Sequence, residues 1–215
     1  ESLGLALPDN ATIPAADSRR KVLAHMSGIR IVEMVKEDLK MTDILTRKSF
    51  ENAIMVNAAL GGSTNFILHL LAIAGRIGVE LNIDDFDKFS SHIPLIANVQ
   101  PSGENFVEDL FYAGGLPAVM REVSSLLHLD TITANGKKLG ENVLNAECWD
   151  RNLIGTLEKP FKPESGIAVL KGNGELNDKY LADYVLNLKE YYLIGEFNLD
   201  SLANDQNKTL QNLEH

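Results

Sequence analysis

The sequence predicts an α/β protein dominated by helices, with a small, mostly parallel sheet flanked by those helices. Two observations lead to this prediction. Several segments repeat apolar residues at helical spacing, and the clearest of them runs from residue 50 to residue 79. Two short apolar runs, 95–99 and 167–170, are continuous rather than alternating. Such runs are typical of parallel strands that are buried on both faces.

Composition excludes several classes of function. The 215 residues are 45% apolar, enough for a substantial core, and no window approaches the 18 consecutive apolar residues of a membrane helix. The first residues lack the order of a signal peptide, so we expect a cytoplasmic protein. The net charge is −10 without a block of Lys or Arg, which argues against a nucleic-acid partner. A single cysteine, Cys148, excludes an internal disulfide and a multi-thiolate metal site within this chain.

The first predicted helix follows an extended connector and reaches about residue 39. Asp17 or Ser18 can cap its N-terminus, and Gly28 is expected to bend or break it. Arg19 and Arg20 lie in its first turn, where the helix dipole disfavours cations. They predict either an anion site, or a solvated face or a salt bridge to Asp17 or Glu33. The apolar positions of this helix are Val22, Leu23, Met26, Ile31, Val32, Val35 and Leu39.

Two helices separated by a glycine turn form the centre of the chain. The spacing of Phe50, Ala53 and Ile54 predicts an amphipathic helix that ends at Gly61. The segment 66–77 is apolar on every side except at His69, which predicts a second helix that is buried all round.

The turn between these helices is the candidate binding site of the sequence. Its residues are Gly61, Gly62, Ser63, Thr64 and Asn65. The first N–H groups of a helix lack internal partners, and glycine lets a ligand approach them closely. If Ser63 or Thr64 caps the turn, the other N–H groups remain for an anion such as a carboxylate. The alternative is a helix–turn–helix corner that binds nothing.

A short helix is predicted after the central pair, and its acidic start has two interpretations. Asn82 or Asp84 can cap it. Asp84, Asp85 and Asp87 resemble a calcium loop only superficially, because the glycine and glutamate that such a loop requires do not follow. We interpret them as carboxylates at a helix N-terminus.

Helices are also predicted over 106–112 and, with Pro117 in the first helical position, up to residue 127. Glu108 and Asp109 are adjacent, so on a helix they point about 100° apart and do not form an acid/base pair. Asn135-Gly136 indicates a tight turn. Cys148 stands beside a Trp with no His nearby, which favours an inert packed thiol over a nucleophile.

The composition changes beyond Gly172. Segment 174–197 predicts an amphipathic helix rich in tyrosine, with apolar positions Tyr180, Leu181, Tyr184, Val185, Leu188, Tyr191 and Tyr192. Segment 198–215 is a polar tail whose last three residues resemble the start of an expression tag.

Three stretches carry a resemblance to a known family. They are LGLALP with ATIPAADSRR, the run RIVEMVKEDLKMTDILTRKSFENAIMVNAALGGSTNFILHLLAIA, and PSGENFVEDLFYAGGLPAVM. Together they resemble the middle of the dihydroxy-acid, 6-phosphogluconate and aldonate dehydratases, over residues 1–173. The run AECWDRNLIGTLEKPFKPESGIAVLKGN looks closer to the arabinonate or xylonate type. The resemblance implies that 1–173 is the central part of the N-terminal domain, a fragment of a larger α/β/α domain.

The resemblance also implies a hydro-lyase that converts a 2,3-dihydroxy acid to a 2-keto acid. In that family an iron–sulfur cluster acts on the departing hydroxyl, magnesium holds the carboxylate, and a serine takes the C2 proton. The cluster cysteines and two magnesium ligands precede the matched stretch, and the remaining ligand and the serine follow it. No catalytic or metal residue is therefore assigned here, and Cys148 does not match a cluster cysteine. We expect no cofactor on this chain alone, and no activity.

Two other functions remain open. One is a non-catalytic module that self-associates or binds a partner through apolar surface left by missing segments. We expect the protein to form a homo-oligomer. The other is an active subunit that takes its cluster and base from a second polypeptide. In the parent enzyme the partner is a small sugar acid or dihydroxy acid.

Overall fold

A computed structural model describes residues 1–165 and the backbone of 167–169 and 192–194. The described chain is rich in helices, as predicted. The helices are α1 (Ser18–Glu37), α2 (Met41–Ile44), α3 (Arg47–Leu60), α4 (Asn65–Ile77), α5 (Ile83–Ser90), α6 (Val107–Tyr112), α7 (Gly115–Glu122) and α8 (Leu139–Val143). A 3-10 turn, Ser124–Leu126, follows α7, and the strands are β1 (Ile167–Val169) and β2 (Tyr192–Ile194).

Helix α3 is the centre of the molecule, because apolar clusters form on more than one of its sides. Phe50, Ala53 and Ile54 pack with α4 and α5 in one cluster. Met55 and Val56 pack with α6, α7 and α8 in another. The buried positions of α3 therefore extend beyond the single stripe predicted from its spacing.

The prediction that the second central helix is buried all round is wrong. Only Ile67, Leu70 and Ala74 of α4 are fully buried. Leu68 is 69% exposed, and His69 is exposed beside it. Because a continuous run of apolar residues has no helical period, the pattern does not indicate which of the two central helices is enclosed.

Helix α1 begins where the sequence predicted, but it is poorly covered. The Asp17 side chain accepts a hydrogen bond from the Arg19 N–H, which confirms Asp17 as the N-cap. The prediction was a bend or a break at Gly28; the helix is one continuous element there, so it is not broken. Met34 is its only buried residue, and most of its apolar side chains are exposed.

The segment 95–99 is extended and buried, but it does not form the predicted parallel strand. Leu95 and Ala97 make antiparallel bridges to the segment 154–162. The N–H groups of Ile96 and Ala97 donate instead to the Ala59 carbonyl at the end of α3, at 2.8 and 3.1 Å. The last carbonyls of a helix have no partner within the helix. The Ala59 carbonyl therefore accepts from N–H groups that would otherwise donate to a neighbouring parallel strand.

The region from residue 106 to residue 143 follows the prediction in part, because α7 ends at Glu122 and a 3-10 turn replaces the last residues of the helix predicted up to 127. Helix α6 occupies the predicted span, but Pro117 is the third residue of α7 rather than the first. A proline is tolerated there because the first turn needs no N–H donors. The predicted turn at Asn135-Gly136 is confirmed: Gly136 has φ of +82°, and the Thr133 N–H donates to the Lys137 carbonyl at 2.9 Å.

Strands β1 and β2 form a parallel pair in which Ala168 is opposite Leu193. This is the one parallel pair of strands within the described backbone. The described residues therefore do not show the predicted mostly parallel sheet flanked by helices. The predicted tyrosine-rich helix and the polar tail lie outside the described residues, apart from 192–194, which have strand backbone. None of the described helices has the length and apolarity needed to cross a bilayer.

Candidate functional site

The glycine turn joins α3 to α4 through a Schellman motif. Gly61 is left-handed, with φ of 62° and ψ of 43°. Its N–H donates to the Ala58 carbonyl and the Gly62 N–H donates to the Asn57 carbonyl, both at 3.1 Å. This pair of bonds satisfies two of the orphan carbonyls at the end of α3.

Contacts within the chain account for both glycines. A Cβ on Gly61 would lie 2.5 Å from the Cβ and Oγ of Ser102, and the Ser102 hydroxyl donates to the Gly61 carbonyl at 2.7 Å. A Cβ on Gly62 would lie 2.2 Å from the Asn57 Oδ1. The sequence analysis expected a ligand to approach the backbone of these glycines closely. Side chains of the protein itself make that close approach.

The other half of the turn forms the start of α4 and is open to solvent. The Ser63 Oγ accepts a hydrogen bond of 3.3 Å from the Asn65 N–H, whereas the Thr64 side chain makes no capping bond. Ser63 and Asn65 are exposed, and Gly62 and Thr64 are half-buried. Of the two residues that the sequence offered as caps, Ser63 is the one used.

The arginines at the start of α1 do not form an anion site. Arg19 makes an ion pair with Asp17, at 2.6 Å between Nη2 and Oδ2, and its guanidinium stacks on the Phe111 ring. Hydrogen bonds from the Arg19 side chain and N–H lower the pKa of Asp17 to about 2. Arg20 donates to the Ile13 carbonyl. The salt bridge was the predicted alternative, and it is confirmed.

The acidic residues of α5 have the predicted structural role at the helix N-terminus. The Asn82 Oδ1 accepts hydrogen bonds from the N–H groups of Asp84 and Asp85, and Asp85 in turn accepts from the Asn82 N–H at 2.9 Å. Arg47 forms a bidentate pair with the Asp85 carboxylate, at 2.5 and 3.0 Å. Hydrogen bonds from Arg47 hold the pKa of Asp85 below its usual value.

A buried polar network on α3 was missed by the sequence analysis. Asn52 is fully buried; its amide donates to the His128 carbonyl at 3.0 Å and accepts from the His128 N–H at 2.7 Å. The His128 Nε2 lies 2.7 Å from the Glu51 Oε2, and the other oxygen of Glu51 accepts from Arg47 at 2.9 Å. The one available signal was a polar Asn flanked by the apolar run of α3.

The hydrogen bonds of this network join separate parts of the chain and use most of the donors of Arg47. Arg47 donates to Glu51, to Asp85 and to the Glu80 carbonyl. An open cavity of about 490 Å³ lies beside it, lined by Arg47, Val79, Glu80, Asn82 and Asp85. A second open groove, of about 420 Å³, lies between the start of α1 and Trp149.

Cys148 has the contacts of a packed thiol. Its Sγ lies 3.5 Å from the Asp150 carbonyl oxygen and 3.9 Å from that of Ile154, and the side chain is half-buried against the main apolar cluster. Among residues 1–165 no three His, Cys, Asp or Glu side chains converge as metal ligands. The described donor set therefore does not fit an iron–sulfur cluster, which needs several thiolates.

Comparison with known proteins places the chain in a family of lyases. Residues 1–142 match the family described as dihydroxy-acid/6-phosphogluconate dehydratase, N-terminal. The chain belongs to this family.

Relatives come from both sugar-acid and dihydroxy-acid dehydratases. The chain is 53% identical over 176 residues to the L-arabonate dehydratase of Azospirillum brasilense and 49% over 175 residues to the L-arabinonate dehydratase of Rhizobium leguminosarum bv. trifolii, covering 80% of this chain and 30% of each relative. It is 49% identical over 175 residues to the dihydroxy-acid dehydratase of Acetivibrio thermocellus, covering 80% of this chain and 32% of that protein. The chain thus spans about a third of the length of the curated relatives it matches.

Proposed function

We propose that this chain is the scaffold portion of a hydro-lyase that removes water from a 2,3-dihydroxy acid to give a 2-keto acid. Family membership over residues 1–142 is the observation that carries the proposal. The relatives' names, which specify dehydratases of sugar acids and of dihydroxy acids, support the reaction class.

A sugar acid is the substrate class we propose for the parent enzyme. Identities of 49% and 53% to two aldonate dehydratases, against 47% to 50% to the dihydroxy-acid dehydratases, support it, as does the resemblance of the run that begins at Ala146 to the aldonate type. The family resemblance also implies an iron–sulfur cluster and magnesium. Because the donors described here do not fit the cluster, we assign no step through it to these residues and propose that the isolated chain is inactive.

We propose that any contact between the described residues and the substrate is made by the exposed part of the glycine turn, Ser63 and Asn65. Ser63 and Asn65 face solvent at the start of α4, where helix N–H groups and the dipole favour a carboxylate. Gly61 lets the loop at Ser102 pack beneath this part of the turn, and Gly62 leaves room for the Asn57 side chain. A titration of the chain with arabinonate, followed by the amide resonances of Ser63 and Asn65, tests this contact; unchanged resonances would contradict it.

Two assays test the function. In the first, the purified chain is incubated with ferrous iron, sulfide and Mg²⁺ and then with arabinonate, xylonate or dihydroxyisovalerate; we expect no 2-keto acid. In the second, the 176 matched residues of the Azospirillum L-arabonate dehydratase are replaced by the corresponding residues of this chain. We expect that hybrid to dehydrate arabinonate. A folded, cluster-loaded hybrid without activity would argue against the proposal.

A second candidate function is a non-catalytic module that associates with itself. The exposed apolar side chains of α1 and Leu68 of α4 favour it, because association would remove apolar surface from water. Sedimentation velocity separates the two: a monomer over a wide concentration range would count against self-association.

A further inference from the structure

Helix α1 packs against the body of the protein mainly through its second half. Met34 is buried in a small cluster with Ile44 and Ala134. The Arg30 Nε donates to the Ala134 carbonyl at 2.6 Å. The first half of the helix stands apart from the body, because the open groove of about 420 Å³ lies between it and Trp149. The two halves of one helix therefore have different surroundings.

The groove lies under the same side of α1 that its second half uses for packing. Val22, Leu23 and Met26 line the groove, at the three- and four-residue spacing of one helix face. At about 100° per residue, these three positions and that of Met34 fall within one arc of about 120°. The opposite side of the helix carries polar residues, which are Lys21, His25 and Lys36. The groove is thus a gap beneath a packing stripe rather than an outer surface.

Both walls of the groove expose apolar side chains to water. On the α1 side, Val22 is 59% exposed and Met26 is 51% exposed. The other wall contains Phe111 and Trp149, and Trp149 is 72% exposed. Removal of apolar surface from water is favourable, so contact between the two walls would stabilise the chain.

The residues between the two halves of α1 are suited to bending. Glycine in a helix interior gives the backbone more freedom than alanine does, and pairs of Gly and Ser are sites of helix kinks. The Ser27 hydroxyl donates to the Leu23 carbonyl at 2.8 Å, a bond to the preceding turn that favours bending. A Cβ on Gly28 would meet nothing within 4 Å, so packing among the described residues does not require glycine there.

The attachments at the start of α1 can follow a movement of its backbone. The Arg19 guanidinium stacks on the Phe111 ring, 4.5 Å from its centroid, and Arg20 donates to the Ile13 carbonyl. An arginine side chain has many rotamers, so these contacts do not fix the distance between the helix and the body.

We propose that the first half of α1 is a lid on this groove, which bends at Ser27 and Gly28 and closes Val22 and Met26 onto Trp149. The structure holds the open form, in which both walls are exposed. Closure moves the first half toward the body, so the attachment at Met34 is kept. The open and closed forms exchange, and their ratio depends on the backbone freedom at Gly28. This inference is independent of the proposed function.

Trp149 is the reporter for the test, because the chain contains one tryptophan. The emission maximum and the acrylamide quenching of the purified full chain are compared with those of N-acetyltryptophanamide. If only the open form existed, an indole that is 72% exposed would be quenched almost as readily as the free compound. We expect a blue-shifted emission and weaker quenching, because closure surrounds the indole with apolar side chains.

Two variants act on the lid, and a third is the control. Met26→Glu places a charge in the apolar contact and should raise the quenching toward that of the free compound. Gly28→Ala stiffens the helix and should lower the ratio of closed to open form by up to about fivefold, which also raises the quenching. Val35→Glu adds the same charge to α1 beyond the bend, at a position 76% exposed, and should leave the quenching unchanged.

Three results would overturn the proposal. The first is quenching of the original chain equal to that of N-acetyltryptophanamide. The second is weak quenching that Met26→Glu and Gly28→Ala leave unchanged, because another part of the chain would then cover Trp149. The third is an equal rise with Val35→Glu, because a general loosening of α1 would then be the cause. Gly28→Ala keeps the test valid if Met26→Glu fails to fold, since an added methyl at Gly28 lies in open space.

Discussion

The Ser102 hydroxyl donates a hydrogen bond of 2.7 Å to the carbonyl of Gly61, so the loop at residue 102 is fastened to the end of α3. The same contact places the Ser102 Oγ 2.5 Å from the position of a Cβ on Gly61. The turn that looks like a ligand cradle in the sequence is thus a packing joint between two parts of the chain.

Replacing Gly61 by Ala should destabilise the chain by about 2 to 5 kcal/mol. A left-handed alanine costs roughly 1 to 2 kcal/mol, and the clash with Ser102 adds an overpacking cost of about 1 to 3 kcal/mol. Urea unfolding measures the change. The control is Gly78→Ala, where φ is also positive, at +75°, but a Cβ meets nothing within 4 Å. Equal losses at the two glycines would show that the Ser102 contact does not matter.

Removing the buried Asn52 amide should be costly. Asn52→Leu leaves the His128 N–H without its partner, which costs about 1 to 3 kcal/mol for a buried group that stays unsatisfied, whereas the His128 carbonyl still accepts from the Thr131 hydroxyl at 3.0 Å. We expect a loss of about 1 to 3 kcal/mol in thermal unfolding. Asn65→Ala, at an exposed amide, should change stability by less than about 0.5 kcal/mol. A neutral Asn52→Leu would mean that water replaces the lost hydrogen bonds.

The Arg47 pair should make stability depend on acid. Because Arg47 lowers the pKa of Asp85 in the folded state, Asp85 contributes stability above its unfolded pKa, near 3.8. That contribution is lost as the pH falls through the lower, folded value. Arg47→Gln should raise the Asp85 pKa, followed by the ¹³C resonance of its carboxyl, and should flatten the stability profile below about pH 4. Since the Arg47 side chain is 37% exposed, solvent screening limits the loss at neutral pH to about 1 to 2 kcal/mol.

An Asp85 resonance that titrates at the same pH in both proteins would contradict this account. Arg19→Gln is the comparison at an exposed pair, where the pKa of Asp17 should rise from about 2. Added salt should erase more of the effect at Asp17 than at Asp85, because exposed pairs are screened more strongly.

The start of α4 offers a test of which residue caps it. Ser63→Ala removes the one capping bond and should cost about 0.5 to 1 kcal/mol, at the low end for a cap because the bond is 3.3 Å long. Thr64→Ala removes no capping bond and should be close to neutral. Guanidinium unfolding of the two variants provides the measurement, and the reverse order of losses would assign the cap to Thr64.

Helix positions were predictable from sequence because caps and periodicity are local. Asp17 and Asn82 cap α1 and α5 as predicted. Burial was less predictable, because it depends on neighbours that are distant in sequence. The apolar run of α4 and the apolar positions of α1 gave no indication that one side of each helix faces solvent.

The candidate site shows the same limit. The sequence located the glycine turn, but it could not show that Ser102, 41 residues away, fills the space in front of Gly61. Likewise Asn52 donates to the His128 carbonyl and to the Thr131 hydroxyl, which lie 76 and 79 residues further along the chain. The prediction of a parallel strand at 95–99 is wrong because the Ala59 carbonyl at the end of α3 accepts two of its N–H groups. A local sequence pattern does not reveal that contact.

The sparse attachment of α1 has a consequence for local opening. Helix α1 is held by one buried side chain, Met34, and by hydrogen bonds from arginines to backbone carbonyls. Local detachment of α1 should therefore cost less free energy than global unfolding. Its backbone amides should therefore exchange with deuterium sooner than those of α3. Within residues 1–165, limited proteolysis should cut first between residues 18 and 37.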